Sequence, residues 1–415
     1  MLEGCGDWPV PYNERGLLLR ASVLRLTRGA IAALDGLPDD VEAFTTHEGR
    51  VGYFIASAQA YIGTRNWRAA EKTLRAAQTM LSGATDPQRF VVAYLRARIR
   101  WSLREYDPDD PDLALAIESP DISWKFHAVN LRSWMRGGLE DYRGQLTDLR
   151  QCLALYRRHT DLIDVRSIAI SLRAALGFAW EIADFDACLD AVPLFDAISW
   201  VPQLAFQRFF CLRQLSWLSF LQGDQSATNQ YVQEELSESS TSAALKTFAH
   251  TDQAYFASLS GNRALEVEAL RCARASAELA DWKNTRDDEH EALLALAVLL
   301  AQEHPNDAQR YLTIHGALHP HGRRENVEGS HDTRRSQALK NYVDARIQQR
   351  LGNLRLSAHL LENAYNVFAP MEFEWRSLLI AHVLFEITHE ERWLEAARRH
   401  AESYPDSVVS RRLCA

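Results

Sequence analysis

The chain has 415 residues, 47% hydrophobic and 24% charged, the balance of a soluble protein with ample material for a core. Its formal net charge of −9 argues against a broad basic surface for nucleic acid. The longest apolar run, Ala292 to Ala301, is about half of what a bilayer crossing needs, and the first residues lack the basic-then-apolar order of a secretory leader, so a cytoplasmic location is expected.

Along the chain, strand signals are scarce: no alternating Val/Ile/Thr runs meet at Asn-Gly or Asp-Gly turns. Segments rich in Ala, Leu and Arg, about 12 to 18 residues long, alternate instead with short Gly, Asp, Asn or Pro breaks. The clearest unit runs from Tyr61 through Trp67, Ala70 and Leu74 to Ala77. There an apolar helix ends in a polar turn, an aromatic opens the next helix, and small residues recur at three- and four-residue steps. Small residues at those steps let two helices approach closely. Similar breaks follow at Glu140-Asp141-Tyr142, Ala183-Asp184-Phe185, Gly223-Asp224-Gln225, Gly261-Asn262-Arg263, Gly352-Asn353-Leu354 and Glu391-Arg392-Trp393, with a less regular one at Pro305-Asn306-Asp307. Gly can adopt the left-handed conformation that closes one helix, and Asp or Asn can cap the next. The beat of about 38 to 47 residues predicts an all-α chain of antiparallel hairpins, roughly 18 helices in all.

Two stretches break the rhythm. Tyr106 to Asp112 is a Pro/Asp loop with a short helix starting near Ala114, and residues 317–331 form the longest polar connection. Both read as exposed loops, and a bend of the stack is expected near 317–333. The six cysteines, Cys5, Cys152, Cys188, Cys211, Cys272 and Cys414, form no C-x-x-C pair; four lie in helical patterns and read as small buried hydrophobes.

The spacing Trp67-Ala70-Leu74-Ala77, with Tyr61 in the preceding helix, resembles the tetratricopeptide repeat, as does Leu354-Ser357-Leu361-Ala364. Trp393-Ala396-His400-Ser403 fits in part; the other units depart from it, and their spacing exceeds the family's norm of about 34 residues. Longer repeats of this kind, and the closing segments from Phe373 and from Arg392 to His400, resemble the sensor region of large LuxR-type and maltose-regulator-type transcription activators. The resemblance implies one right-handed superhelical solenoid over residues 1–415, with a concave groove that binds something. It does not extend to nucleotide or DNA binding, because the sequence shows neither a Walker glycine loop nor a helix-turn-helix.

Motifs for chemistry are few. His304, His315, His319, His321 and His331 crowd one region, but no spacing supplies the three or four ligands that zinc takes. Asp107, Asp109, Asp110 and Asp112 lack the Gly and Glu of a calcium loop and read as a solvated, stiffened turn. No nucleophile elbow or phosphate loop is present, so neither a catalytic residue nor a cofactor is expected.

The aromatics and arginines say more. Counting back from the turns places His127, Asn130 and Trp134, Arg173 and Trp180, Arg213 and Trp217, Phe248 and Tyr255, and Tyr342 and Arg346 toward the concave side. Asn130, Trp134, Arg173, Trp180, Arg213, Trp217, Tyr255, Tyr342 and Arg346 are therefore the candidate ligand-binding residues. Arg can clamp a carboxylate, and Trp offers a rigid apolar contact. A one-residue change of register instead turns Trp180 and Trp217 into core; Trp101, Trp124, Trp282 and Trp375 read as core or edge packing. The expectation is a non-catalytic regulatory or scaffold protein that binds a partner protein, a peptide or a small effector, without direct nucleic-acid or membrane contact. The alternatives are a sensor region acting through another domain or subunit, and an all-helical enzyme.

Overall fold

The computed structural model describes residues 10–199, 201–318 and 333–414. Among them every regular element is helical, 21 α-helices joined by short turns. They divide into two compact units: residues up to 139 with 154–163, and residues 140–153 with 164 onward.

The first unit holds α1 (Val10–Arg28), α2 (Ala30–Asp35), α3 (His47–Gly63), α4 (Trp67–Thr79), α5 (Asp86–Ser102), α6 (Pro111–Ile117) and α7 (Ile122–Gly138). The next helix, α8 (Tyr142–Arg158), contributes residues to both units. The second unit continues with α9 (Val165–Glu181), α10 (Phe185–Ser199), α11 (Ala205–Leu221), α12 (Gln225–Glu238), α13 (Ala243–Ser260), α14 (Arg263–Leu279) and α15 (Asp287–Leu300). It ends with α16 (Pro305–Leu318), α17 (Thr333–Arg350), α18 (Leu354–Phe368), α19 (Glu374–Thr388), α20 (Glu391–Ala401) and α21 (Val408–Cys414). The excess over about 18 comes from short pieces such as α2, of 6 residues, and α21, of 7, too brief to show a helical period.

In both units consecutive helices pair as hairpins, and the first helices of successive hairpins stack on one another: α1, α3, α5 and α7 in the first unit, α9, α11, α13, α15 and α17 in the second. This is a solenoid of tetratricopeptide-like hairpins. In the second unit α19 also packs on α9, and α21 on α13, so late helices return to early ones.

The hairpin turns share one construction. Arg65, Glu140, Ala183, Gly223, Gly261 and Gly352 all have positive φ, from 59° to 82°, and an Asp or Asn follows each. The amide of that Asp or Asn reaches back to a carbonyl of the finished helix, as in Asn66 N to Tyr61 O at 2.9 Å and Asn262 N to Ala257 O at 2.8 Å. The same side chain can start the new helix: Asn66 Oδ1 accepts from Ala69 N at 3.2 Å and Asp224 Oδ1 from Ala227 N at 2.9 Å. Left-handed closure and a side-chain cap thus satisfy orphan groups of both helices within three residues. The seventh break differs. The left-handed residue is His389 (φ 57°) and α20 begins at Glu391, so the turn lies two residues before the position expected at Glu391-Arg392-Trp393. Trp393 is therefore the third residue of its helix, with its ring turned into the core.

The small-residue code sits where helices touch. Ala70 and Ala77 are fully buried and Leu74 is 1% exposed, in one cluster with Ala58, Ile62, Val92 and Leu95. In α18, Ser357, Leu361 and Ala364 are buried, and Ser357 Oγ donates to Ala345 O of α17 at 2.7 Å.

The Pro/Asp loop is less solvated than its composition suggests. Asp110 is buried, accepts from Asp112 N at 2.8 Å to cap α6, and pairs with Arg100 Nε at 2.5 Å. The expected bend near 317–333 falls on residues 319–332, outside the described residues, as do His319, His321, His331 and Cys5. Cys152 and Cys211 are buried, and burial pushes the Cys211 thiol up to about 12. Among the described residues no helix is long and apolar enough to cross a membrane.

Candidate functional site

Seven of the nine candidate residues lie in the second unit, on α9, α11, α13 and α17, and most are engaged by the chain itself. Arg213 Nε lies 2.7 Å from Asp252 Oδ2, with its guanidinium 4.5 Å from the Phe248 ring centre. Glu235 of α12 is fully buried nearby; burial, and then Asp252, hold its carboxyl well above the usual range against the pull of Arg213. Burial also raises Asp252, despite Arg213. Two acids and one guanidinium form a closed buried group that stays neutral when Glu235 keeps its proton. Arg173 sits over the Phe210 ring at 4.1 Å and bonds Asp288 Oδ2 of α15 at 2.9 Å.

The aromatic residues gather too. Trp180 stacks on Trp217 with ring centres 5.1 Å apart and planes within 12°, and Trp217 meets Tyr255 at 5.2 Å. Trp180 Nε1–H donates to Gln214 Oε1. Trp375 of α19 comes edge-on to Trp217 at 6.4 Å, and Tyr404 packs edge-on to Trp375 at 5.5 Å. The Tyr404 hydroxyl donates to Trp180 O at 2.8 Å, and Arg376 Nη2 pairs with Glu181 Oε1 at 2.7 Å. Trp180 and Trp217 are accordingly only 4% and 7% exposed. Tyr255 is half-buried by surface; its phenol is raised by burial and then by Tyr342, with Arg376 and Arg346 acting the other way. Tyr342 and Arg346 keep part of their surface, and Arg346 O accepts from Gln302 Nε2 at 3.3 Å. Sequence reasoning missed Asp252, Asp288, Arg376 and Tyr404, because nothing local to them marks a partner so far along the chain.

In the first unit, Asn130 and Trp134 of α7 are both half-buried. Beside them Tyr94 of α5 meets Trp124 at 5.4 Å and His127 at 6.2 Å. The four stacked helices run in register. Leu18 of α1 fills the space over Gly52 of α3, and Ala30 lies against Gly63. Gln88 of α5 donates to Glu48 O of α3 at 2.9 Å. Seven residues beyond the Leu18–Gly52 contact come Arg25 of α1 and Gln59 of α3, both half-buried. On α5, Arg96 and Arg100 turn the other way, to Asp112 at 3.3 and 2.6 Å.

Arg25 and Arg98 have no carboxylate partner among the described residues. Arg25 Nε is buried without a hydrogen bond, and burial, followed by Arg98, pushes the Arg25 guanidinium below its usual range. The only acids on α1, α3 and α5 are Glu14, Glu48 and Asp86, all near the amino-terminal ends, and α7 has none. Glu14 accepts from Thr45 and Thr46, Glu48 faces Arg15 at 3.5 Å, and Asp86 faces Arg89 at 3.7 Å.

One further polar chain links the last hairpins. Tyr365 OH lies 3.0 Å from His400 Nε2, and His400 Nδ1 lies 2.6 Å from Glu374 Oε2. Burial raises the Tyr365 phenol, and the contacts tie α18, α19 and α20 together. Among the described residues no group of three or more His, Cys, Asp or Glu side chains could hold a metal ion.

No family model matches the chain, and no curated protein matches it. A solved structure titled "Crystal structure of APC/C hetero-tetramer Cut9-Hcn1" aligns over 96% of this chain and 95% of its own, at 9% identity and a TM-score of 0.28. At that distance it bears on neither fold detail nor function, and the solenoid assignment rests on the hairpins themselves.

Proposed function

We propose that the chain is a non-catalytic binding module, a regulatory or scaffold protein that holds a partner protein, peptide or small effector against the inner faces of its hairpins. The observation that carries this reading is the half-exposed polar and aromatic set on α7, Trp124, His127, Asn130 and Trp134, backed by the buried Tyr94 of α5. Rigid aromatics beside amides are what an interface anchor needs. In the second unit Tyr342 and Arg346 are the candidates that keep surface, while Arg173, Trp180, Arg213, Trp217 and Tyr255 already hold partners from their own chain.

Selection of a random-peptide display library on the whole protein tests the reading. Selected peptides should bind the Asn130→Ala/Trp134→Ala variant about tenfold more weakly or worse, at an unchanged melting temperature. Equal binding to both proteins would place the site elsewhere.

The same stack would also serve as the effector-sensing region of a LuxR-type or maltose-regulator-type activator, working through another domain or subunit. What supports this is the closing α19–α20 hairpin, the segment that carries the resemblance, in which Trp375, Trp393 and His400 are buried. Tight binding of duplex DNA by this chain alone, read by fluorescence anisotropy at moderate salt, would overturn it.

A further inference from the structure

The first hairpin ends the stack with an apolar face turned to solvent. Leu19, Val23 and Leu26 of α1 lie at four- and three-residue steps, so they form one stripe; all three are exposed, Leu26 by 76%. The other side of the same helix faces the chain: Leu18 fills the space over Gly52 of α3, Leu24 that over Gly36, and Ala21 is buried. On α2, Ala30 lies against Gly63 of α3 and Ala33 is buried, while Ile31 is 69% exposed. An end hairpin left in water needs a polar outer face, and this one carries four large apolar side chains. Charge is divided on the same hairpin. From Arg15 to Leu34 there are four arginines and no acid; from Asp35 to Glu48 there are five acids and neither Lys nor Arg. Some of these charges are used at home, Arg15 with Glu48 and Glu42 with Arg50. Arg20 and Arg28 of α1, and Asp35 and Asp39 at and beyond the end of α2, stay exposed.

We infer that this end face pairs with the same face of a second copy of the chain, across a two-fold axis that sets each α1 on the other copy's α2 and the turn after it. A two-fold contact uses one patch twice, so it needs a patch whose halves complement each other. Here they do. The basic edge of α1 meets the acidic edge beyond α2 of the other copy, twice over, and the apolar stripes close on one another between the two edges. Pairing α1 with α1 would instead set arginines beside arginines, so the division of charge selects α1 on α2. An unrelated acidic or basic partner would suit one edge and be repelled by the other. The 19 residues of α1 span about 28 Å, and two helices about 8–10 Å apart make a face of about 500 Å² per copy. The total of about 1,000 Å² lies at the lower bound of specific interfaces, so the pair should come apart on dilution. The face is three steps of the stack from Trp124, His127, Asn130 and Trp134 of α7. A pair therefore leaves both copies of that site open and presents them on one particle.

Sedimentation velocity of the whole protein over a dilution series should show a monomer–dimer equilibrium. Leu26→Glu/Ile31→Glu should raise the dissociation constant about tenfold or more. The melting temperature of the dilute protein should not change, because both side chains are exposed in the monomer. Two further variants test the charges. Arg20→Glu/Arg28→Glu and Asp35→Lys/Asp39→Lys should each self-associate more weakly by a similar factor, since each sets like charges opposite one another. Mixed in equal amounts, they should form a heterodimer about as tight as the wild-type dimer, which damage to the fold of α1 could not produce. A monomer at every concentration overturns the inference, as does a dimer that Leu26→Glu/Ile31→Glu leaves intact. A monomer that this variant destabilises would show that the chain covers the face itself, which also overturns it. Failure of the mixture to recover association overturns the pairing of α1 with α2.

Discussion

The stacked first helices of the two units use the same residue types to opposite ends. In the second unit Arg173 and Arg213 meet Asp288 and Asp252, Trp180 and Trp217 stack together, and Trp375, Arg376 and Tyr404 cover them. In the first unit Arg25 and Arg98 have no carboxylate partner among the described residues, and Trp134 keeps part of its surface. An arginine or tryptophan at an inner position therefore says little by itself. What decides its role is whether the same chain supplies the acid or the ring that completes it.

The comparison can be broken most forcefully at Arg213. Arg213→Met leaves Asp252 buried beside Glu235 without a counter-charge, and unfolding in urea should show a loss of about 3–5 kcal/mol. A loss below about 1 kcal/mol would mean that the second unit is not held by its own ion pairs. The next largest effect belongs to Gly223. A Cβ there would meet Asp406 O at 2.8 Å on top of a φ of 75°, whereas at Gly352 it meets nothing. Gly352→Ala should cost about 1–2 kcal/mol from the left-handed backbone alone, and Gly223→Ala clearly more. Equal losses would show that the tail beyond Tyr404 yields easily.

A pH series sharpens the same contrast. Glu235 is held above its ordinary value of 4.5, so its contribution is complete below that pH and is lost as the pH climbs toward the raised value. Stability of the wild type should fall over that range, and Glu235→Gln should flatten the slope; an unchanged slope would assign it to other groups. The smallest effect is expected in the first unit. Arg98→Gln should leave stability within about 0.5 kcal/mol of wild type, or raise it slightly, since it removes repulsion rather than a bond. A loss above about 2 kcal/mol would make Arg98 a packing residue and close the contrast between the units.

The hairpins were legible in the sequence because their signal is local. A left-handed residue and an Asp or Asn lie side by side, and six of the seven breaks hold such a pair, beginning at Arg65, Glu140, Ala183, Gly223, Gly261 and Gly352. The seventh turn lies two residues earlier than the aromatic Trp393 suggests, because His389 takes the left-handed conformation and Trp393 is the third residue of α20. The environment of the inner residues was not legible. Arg173 and Asp288 are 115 positions apart, Arg376 and Glu181 195, and Tyr404 and Trp180 224, and no helical period links such residues. The pattern could say that Trp180 and Trp217 share a face; it could not say that Trp375 and Tyr404 would cover it. Arg25 escaped notice for a related reason, since α1 carries no hairpin signature to count from.

The bond from Tyr404 to the end of α9 also sets a clock. Tyr404 leaves the ribosome 224 residues after Trp180, which at ordinary synthesis rates is a delay of about 11–45 s. From the synthesis of Trp217 onward the stacked indoles of Trp180 and Trp217 wait for the cover that Trp375 and Tyr404 give them, an apolar face open to chaperones and to neighbouring nascent chains. Slow decoding upstream of Trp375 would lengthen that exposure without changing a single residue of the finished protein.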